Sequence, residues 1–212
     1  TNSAGVIGLS TALCLQHAGY RVAILARDFP EPADLTPSSQ RINYTSQWAG
    51  AHNRWVPATQ PWEARDHDFA RVTYAHMQRV AAQDGGQVVG VSFVKGQDHL
   101  EMQAAEYAGL TEEVAQELGM HGFRLLGEEE RPEGVVWACE YDTWCVNPMV
   151  YLAYLMRKLA LAGAVFVKKD LQQLDEAFAW EDSVGDVTAV VNCSGWGFGD
   201  PKVYAIRGSY YS

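Results

Sequence analysis

The amino-acid sequence predicts an α/β fold, a parallel sheet with helices on its faces. Two observations carry that expectation. Residues 3–28 hold a glycine turn, a helix at apolar spacing and a buried strand in succession. Residues 135–192 then alternate strand-like and helical runs, the pattern of parallel sheets, in which each crossover lays a helix on a face.

The elements follow in order. Gly5 and Gly8 of Ser3-Ala4-Gly5-Val6-Ile7-Gly8 occupy the second and third glycine places of G-x-G-x-x-G, with Ser3 in the first. In such a turn one glycine lets backbone approach a pyrophosphate, and the other lets the helix pack on its strand. A strand feeding the turn needs roughly five residues. Only Thr1 and Asn2 precede Ser3, so the first strand is expected to be missing from this chain. Leu9, Ala12, Leu13, Leu15 and Gln16 run at helical spacing, Gly19 stops the helix, and Arg21 to Leu25 reads as a buried strand. Asp28, twenty residues after Gly8, stands where an acid bonds a ribose hydroxyl, whereas Arg27 beside it would favour a 2′-phosphate. Together these make a Rossmann-like dinucleotide turn.

Proline and serine mark residues 28–40 as loop, and Asn43 to His52 is rich in small residues around Trp48. A helix is expected over 61–82, ending before Asp84-Gly85-Gly86, and a strand over Val88–Val94. Residues 95–134 alternate short apolar patches with charge and close in a solvated acidic loop at 128–134. Then come strand Val135–Ala138, helix 147–162 ended by Gly163, strand Ala164–Val167, a short helix at 174–179 and strand Val187–Asn192.

Composition narrows the functions. The net charge of −10, with 26 acidic against 16 basic residues, offers no footprint for nucleic acid. No run approaches the roughly eighteen apolar residues of a membrane span, and no secretory signal opens the chain. Cys14, Cys139, Cys145 and Cys193 show no C-x-x-C pairing, and the six histidines have no ligand spacing, so neither a disulfide framework nor a metal site is expected. The expected setting is intracellular, cytoplasmic or peroxisomal, although Ser209-Tyr210-Tyr211-Ser212 is not a peroxisomal S-K-L signal.

Several segments together resemble the FAD-dependent D-amino-acid oxidases, most closely the fungal type. Gly5 to Ala12 is similar to their pyrophosphate turn, and Ile24 to Asp28 to their ribose-binding strand end. Thr45-Ser46-Gln47-Trp48-Ala49-Gly50-Ala51 resembles the loop along the isoalloxazine ring, which usually has Pro at the place of Gln47 and Asn at that of His52. Tyr141-Asp142-Thr143 precedes a helix as in the family, Val190 to Gly195 is similar to a late FAD-contacting turn, and Ile206-Arg207-Gly208 to the start of the next strand. The resemblance implies FAD held by Ala4, Gly5, Val6, Ile7, Gly8, Ala26, Arg27, Asp28, Thr45, Ser46, Trp48, Ala49, Gly50, Leu171, Ser194 and Gly195. It implies an FAD-binding domain of residues 1–84 and 142–208, with residues 85–141 as part of an inserted mixed-sheet substrate domain.

The implied reaction is oxidative deamination of D-amino acids. A hydride passes from the substrate Cα to the flavin, the imino acid hydrolyses to a 2-oxo acid and ammonia, and dioxygen is reduced to hydrogen peroxide. The implied partners are a D-amino acid and dioxygen, with a homodimer as the assembly the family allows. The arginine and tyrosines that clamp the substrate carboxylate lie beyond the Arg-Gly pair in the family, so no catalytic residue is assigned and turnover by this chain is not expected. Three other readings stay open: an oxidase of D-aspartate or D-glutamate, an NADP-dependent reductase exploiting Arg27, and a truncated homologue without catalysis.

Overall fold

A computed structural model describes residues 4–32, 35, 44–49, 52–180, 185–195 and 197–204. Along the chain run helix α1 (Val6–His17), strand β1 (Ala23–Ala26), helix α2 (Pro61–Asp84), strand β2 (Val91–Leu100), helix α3 (Glu112–Leu118), strand β3 (Arg124–Leu125), strand β4 (Trp137–Val146), helix α4 (Pro148–Leu161) and strand β5 (Val165–Lys168). They form two compact units, residues 1–49 with 148–212, and residues 50–147.

In the first unit β1 and β5 pair in parallel, from Ala23 opposite Val165 to Ala26 opposite Lys168. The chain leaves α1 through Gly19 at φ +90°, closed by Tyr20 N–H donating to Leu15 O at 3.0 Å, an exit that a side chain would strain. Helices α1 and α4 pack on each other, and Leu9, Ala12, Leu152, Leu155 and Leu159 are buried. Gln16 Nε2 donates to Leu159 O at 3.4 Å and Ala162 O at 3.1 Å, so a side chain of α1 caps carbonyls at the end of α4. Leu25, Leu171 and Ala177 form a small core joined by Val167 and Val190.

Two expectations for this unit are corrected. The run Val187–Asn192 is irregular chain, because β-rich composition yields a strand only where a neighbour supplies a ladder, and among the described residues none does. The short helix is a 3-10 turn, Leu174–Trp180.

The second unit is an antiparallel sheet in the order β2-β4-β3. Strands β2 and β4 share a ladder from Val91 opposite Val146 to Leu100 opposite Trp137, and β3 adds Arg124 opposite Glu140. Its core gathers Trp55, Tyr74, Tyr107, Leu110, Ala115, Met120, Trp137, Cys139 and Tyr141. Helix α2 starts on a capping box in which Glu63 Oε2 accepts from the backbone of Thr59 at 2.6 Å and of Gln60 at 2.9 Å. Those bonds hold the Glu63 carboxyl below its ordinary pKa.

Here the strands differ from the sequence expectation at their ends. Val88 and Val89 belong to a one-turn helix, Gly86–Val89, bracketed by Gly85 at φ +85° and Gly90 at φ +77°. Strand β4 continues to Val146 because Cys139, Tyr141 and Thr143 alternate inward along the ladder. Helix α3 was not anticipated. The compact units meet at 49/50 and 147/148, with α2 in the second, where Tyr74 packs on Trp55 (6.1 Å between centroids) and on Phe93 (5.5 Å, edge to face).

Candidate dinucleotide site

The carboxyl end of the parallel pair is where α/β sheets bind ligands, because loops diverge there and helix N-termini face the opening. Four pieces of the first unit meet at that end. Helix α1 begins after Gly5, which has extended backbone (φ −74°, ψ 178°) and no capping side chain, and the first turn holds no acidic residue. Its positive end is therefore unneutralised by its own sequence. Strand β1 ends in buried Ala26, followed by Arg27 and Asp28, whose side chains pair at 2.8 Å. Lys169 N–H donates to Ala26 O at 2.9 Å and brings Leu171, buried against Leu25, beside the same strand end.

The fourth piece is the 3-10 turn Thr45–Gln47 with its flanks. Tyr44 hydroxyl donates to Ala4 O at 2.5 Å, and Val6 N–H donates to Ser46 Oγ at 3.0 Å. Gln47 Nε2 donates to Glu31 O at 2.6 Å. Burial, followed by the nearby Asp28 charge, pushes the Tyr44 hydroxyl above its ordinary pKa, so it remains a donor. The bond to Asp28 raises the pKa of Arg27.

Among the residues expected from the sequence, Ala4 and Gly8 are buried, whereas Val6, Ile7, Thr45, Trp48 and Ala49 are exposed. Gly5, Asp28 and Ser46 are half-buried. The contacts bring Ala4 and Val6 to Ser46 and its neighbours, and Ala26 to the stretch leading to Leu171. Ser194 bonds locally, its N–H and Oγ donating to Asn192 Oδ1 at 3.0 and 2.7 Å, and Gly195 follows at φ +67°. Gly50 lies outside the described residues. Tyr44 and Gln47 were not anticipated as site residues. Tyr44 follows Asn43 in a loop of small and polar residues, and an aromatic in that setting is the available signal.

The second unit carries its own polar cluster. Arg54 Nε donates to Asp98 at 3.2 Å, and its Nη2 donates to Tyr107 hydroxyl at 3.0 Å. His52 stacks on Tyr141 with centroids 6.4 Å apart. Thr143 Oγ1 donates to Asn53 O at 2.6 Å. These bonds anchor residues 52–54 to the sheet. Among the described residues no cluster of His, Cys, Asp or Glu has a metal-holding arrangement, and no helix is long and apolar enough to cross a membrane.

A family model described as FAD dependent oxidoreductase matches residues 4–212. The D-aspartate oxidase of Talaromyces thermophilus is 34% identical over 220 residues, covering 97% of this chain and 58% of that protein. The D-amino-acid oxidase of Schizosaccharomyces pombe is 27% identical over 214 residues, covering 97% and 56%. The solved L-amino acid deaminase from Proteus vulgaris superposes with a TM-score of 0.55 at 12% identity, covering 78% of this chain and 38% of that one, a likeness of fold alone. The chain thus spans somewhat more than half the length of the curated relatives it matches. With nearly all of its length matched, it belongs to the FAD dependent oxidoreductase family.

Proposed function

We propose that this chain holds FAD at the carboxyl end of the β1–β5 pair, as part of an oxidase of D-amino acids. The observation that carries the proposal is the meeting of the α1 start, the β1 end and the Tyr44–Trp48 segment through the Tyr44–Ala4 and Ser46–Val6 bonds. The residues present fit the cofactor. An anion suits the first turn of α1, whose backbone donors beyond Val6 are left for it and which holds no acid to repel a pyrophosphate. Asp28 suits a ribose hydroxyl, and its pairing with Arg27 argues against a 2′-phosphate and so against the NADP reading. Ala26 and Leu171 supply apolar contact beside Asp28, and exposed Trp48 and Ala49 supply a surface for a flat ring.

When bound, FAD supplies a two-electron acceptor that dioxygen reoxidises. The protein's part is positional: Gly5 to Gly8 orient the pyrophosphate end, Asp28 the ribose end, and residues 45–50 the ring end. On the family resemblance we place Ser194 and Gly195 as further cofactor contacts, the second unit as part of the substrate domain, and the whole protein in the cytoplasm or peroxisome as a homodimer. The curated relatives act on D-aspartate and D-amino acids by their names, which supports a D-amino acid substrate, acidic ones included.

The test is a titration of the purified chain with FAD in the presence and absence of NADP. Saturable FAD binding that NADP leaves unchanged is expected, and displacement by NADP would overturn the cofactor assignment. For the oxidase of which this chain would be part, the readout is dioxygen consumption with D-aspartate or D-alanine against the L forms, and equal non-zero rates would refute the stereochemical reading.

A further inference from the structure

Three side chains within four consecutive residues each reach a backbone group on a different part of the dinucleotide site. Tyr44 donates to the carbonyl of Ala4, just before the glycine turn. Ser46 accepts from the N–H of Val6, the first residue of α1. Gln47 donates to the carbonyl of Glu31, on the segment that leaves β1 beyond Asp28. The 3-10 turn sends Ser46 and Gln47 to different targets, and Trp48 N–H donating to Thr45 O at 2.9 Å closes it. Gln47 is 4% exposed, so its amide is withdrawn from water and oriented by its bond rather than lying on the surface.

These contacts have a consequence for the ligand. Val6 N–H is already taken by Ser46, which directs an anion to the next first-turn donors, those of Ile7 and Gly8. The ring-side loop is tied to the phosphate-side turn, 40 positions away, and to the segment beyond the ribose-side strand end, 16 positions away. A dinucleotide that fills both ends uses that tie, whereas one that ends at the pyrophosphate does not.

We propose that Tyr44 and Gln47, with Ser46 between them, form a clasp that positions the flavin-ring loop against the pyrophosphate turn and the segment beyond the ribose-side strand end. Tyr44 and Gln47 are positioning residues. They act through the backbone of Ala4 and Glu31 and set the distance between the ring end and the phosphate end of the cofactor. The inference rests on the FAD reading above.

Calorimetric titration of the chain with FAD and with ADP, in wild type, Gln47→Leu and Tyr44→Phe, separates the two claims. Each variant deletes one donor at nearly constant volume. Affinity for FAD is expected to fall about tenfold, the effect of one lost bond to an oriented group. Affinity for ADP, which does not reach the ring loop, is expected to stay within about twofold. Equal losses for FAD and ADP, or no loss for FAD, would overturn the clasp while leaving the cofactor reading intact. A wild-type chain that binds neither ligand overturns the cofactor reading and the clasp with it. If Gln47→Leu fails to fold, Tyr44→Phe carries the same comparison.

Discussion

Replacing Leu159 with alanine tests the packing of α4 on α1. Leu159 is completely buried on α4, and its carbonyl is capped by Gln16 from α1. The substitution removes three buried carbons, about 2 kcal/mol of transfer free energy, and leaves a cavity that raises the cost to about 3 kcal/mol. For a chain of this length each kcal/mol lowers the melting temperature by about 2–4 °C, so a fall of about 6–12 °C is expected. Leu161→Ala is the matched control: two positions on, Leu161 is 77% exposed and its loss should cost no more than about 0.5 kcal/mol. Thermal melts followed by far-ultraviolet circular dichroism provide the assay. Two residues correspond to about 200° of helix rotation. Equal effects, or a larger effect at Leu161, would mean that α4 turns another face to α1 and would refute the packing.

Other perturbations probe the second unit and the thiols. A Cβ at Gly86 would lie 2.6 Å from Val91 O, a backbone atom that cannot step aside, so Gly86→Ala should lower stability by about 1–3 kcal/mol in denaturant melts. An unchanged midpoint would show that the one-turn helix is not formed as described. Burial pushes the Cys139 thiol up to about 12, whereas Cys14 is exposed. A thiol reagent at pH 8 should therefore modify Cys14 in the native chain and Cys139 only after denaturation. Because its folded pKa lies above the unfolded value of 9.0, the stability that protonated Cys139 contributes is present below pH 9 and is lost as pH rises toward 12. Cys139→Ser should flatten that alkaline loss, and an identical pH profile would contradict the assignment.

The most readable elements in the sequence were those whose signals are local. Helix α1 announced itself through apolar spacing and Gly19, and α4 through its apolar run and Gly163, which indeed has φ +83°. Strand ends were less readable because they depend on partners far along the chain. Val88 and Val89 look like strand until Gly85 and Gly90 bend them into a helical turn, and Val187–Asn192 looks like strand but has no ladder. Helix α3 carries legible end signals, since Thr111 caps Val114 N–H and Gly119 ends it at φ +84°. For the site, the spacing of Gly5, Gly8 and Asp28 located the turn and the strand end. No spacing rule could reveal that Tyr44 and Gln47 reach carbonyls 40 and 16 residues away. From sequence, Gln47 reads as a departure from a proline. In the fold it is a buried donor.

The central claim is that this chain assembles an FAD site from the α1 start, the β1 end and the clasped loop. Its most direct test is the visible absorption spectrum of the purified chain after FAD is added and the excess is removed. The account predicts retained flavin, with bands near about 370 and 450 nm. A colourless chain, still folded by circular dichroism, would contradict it.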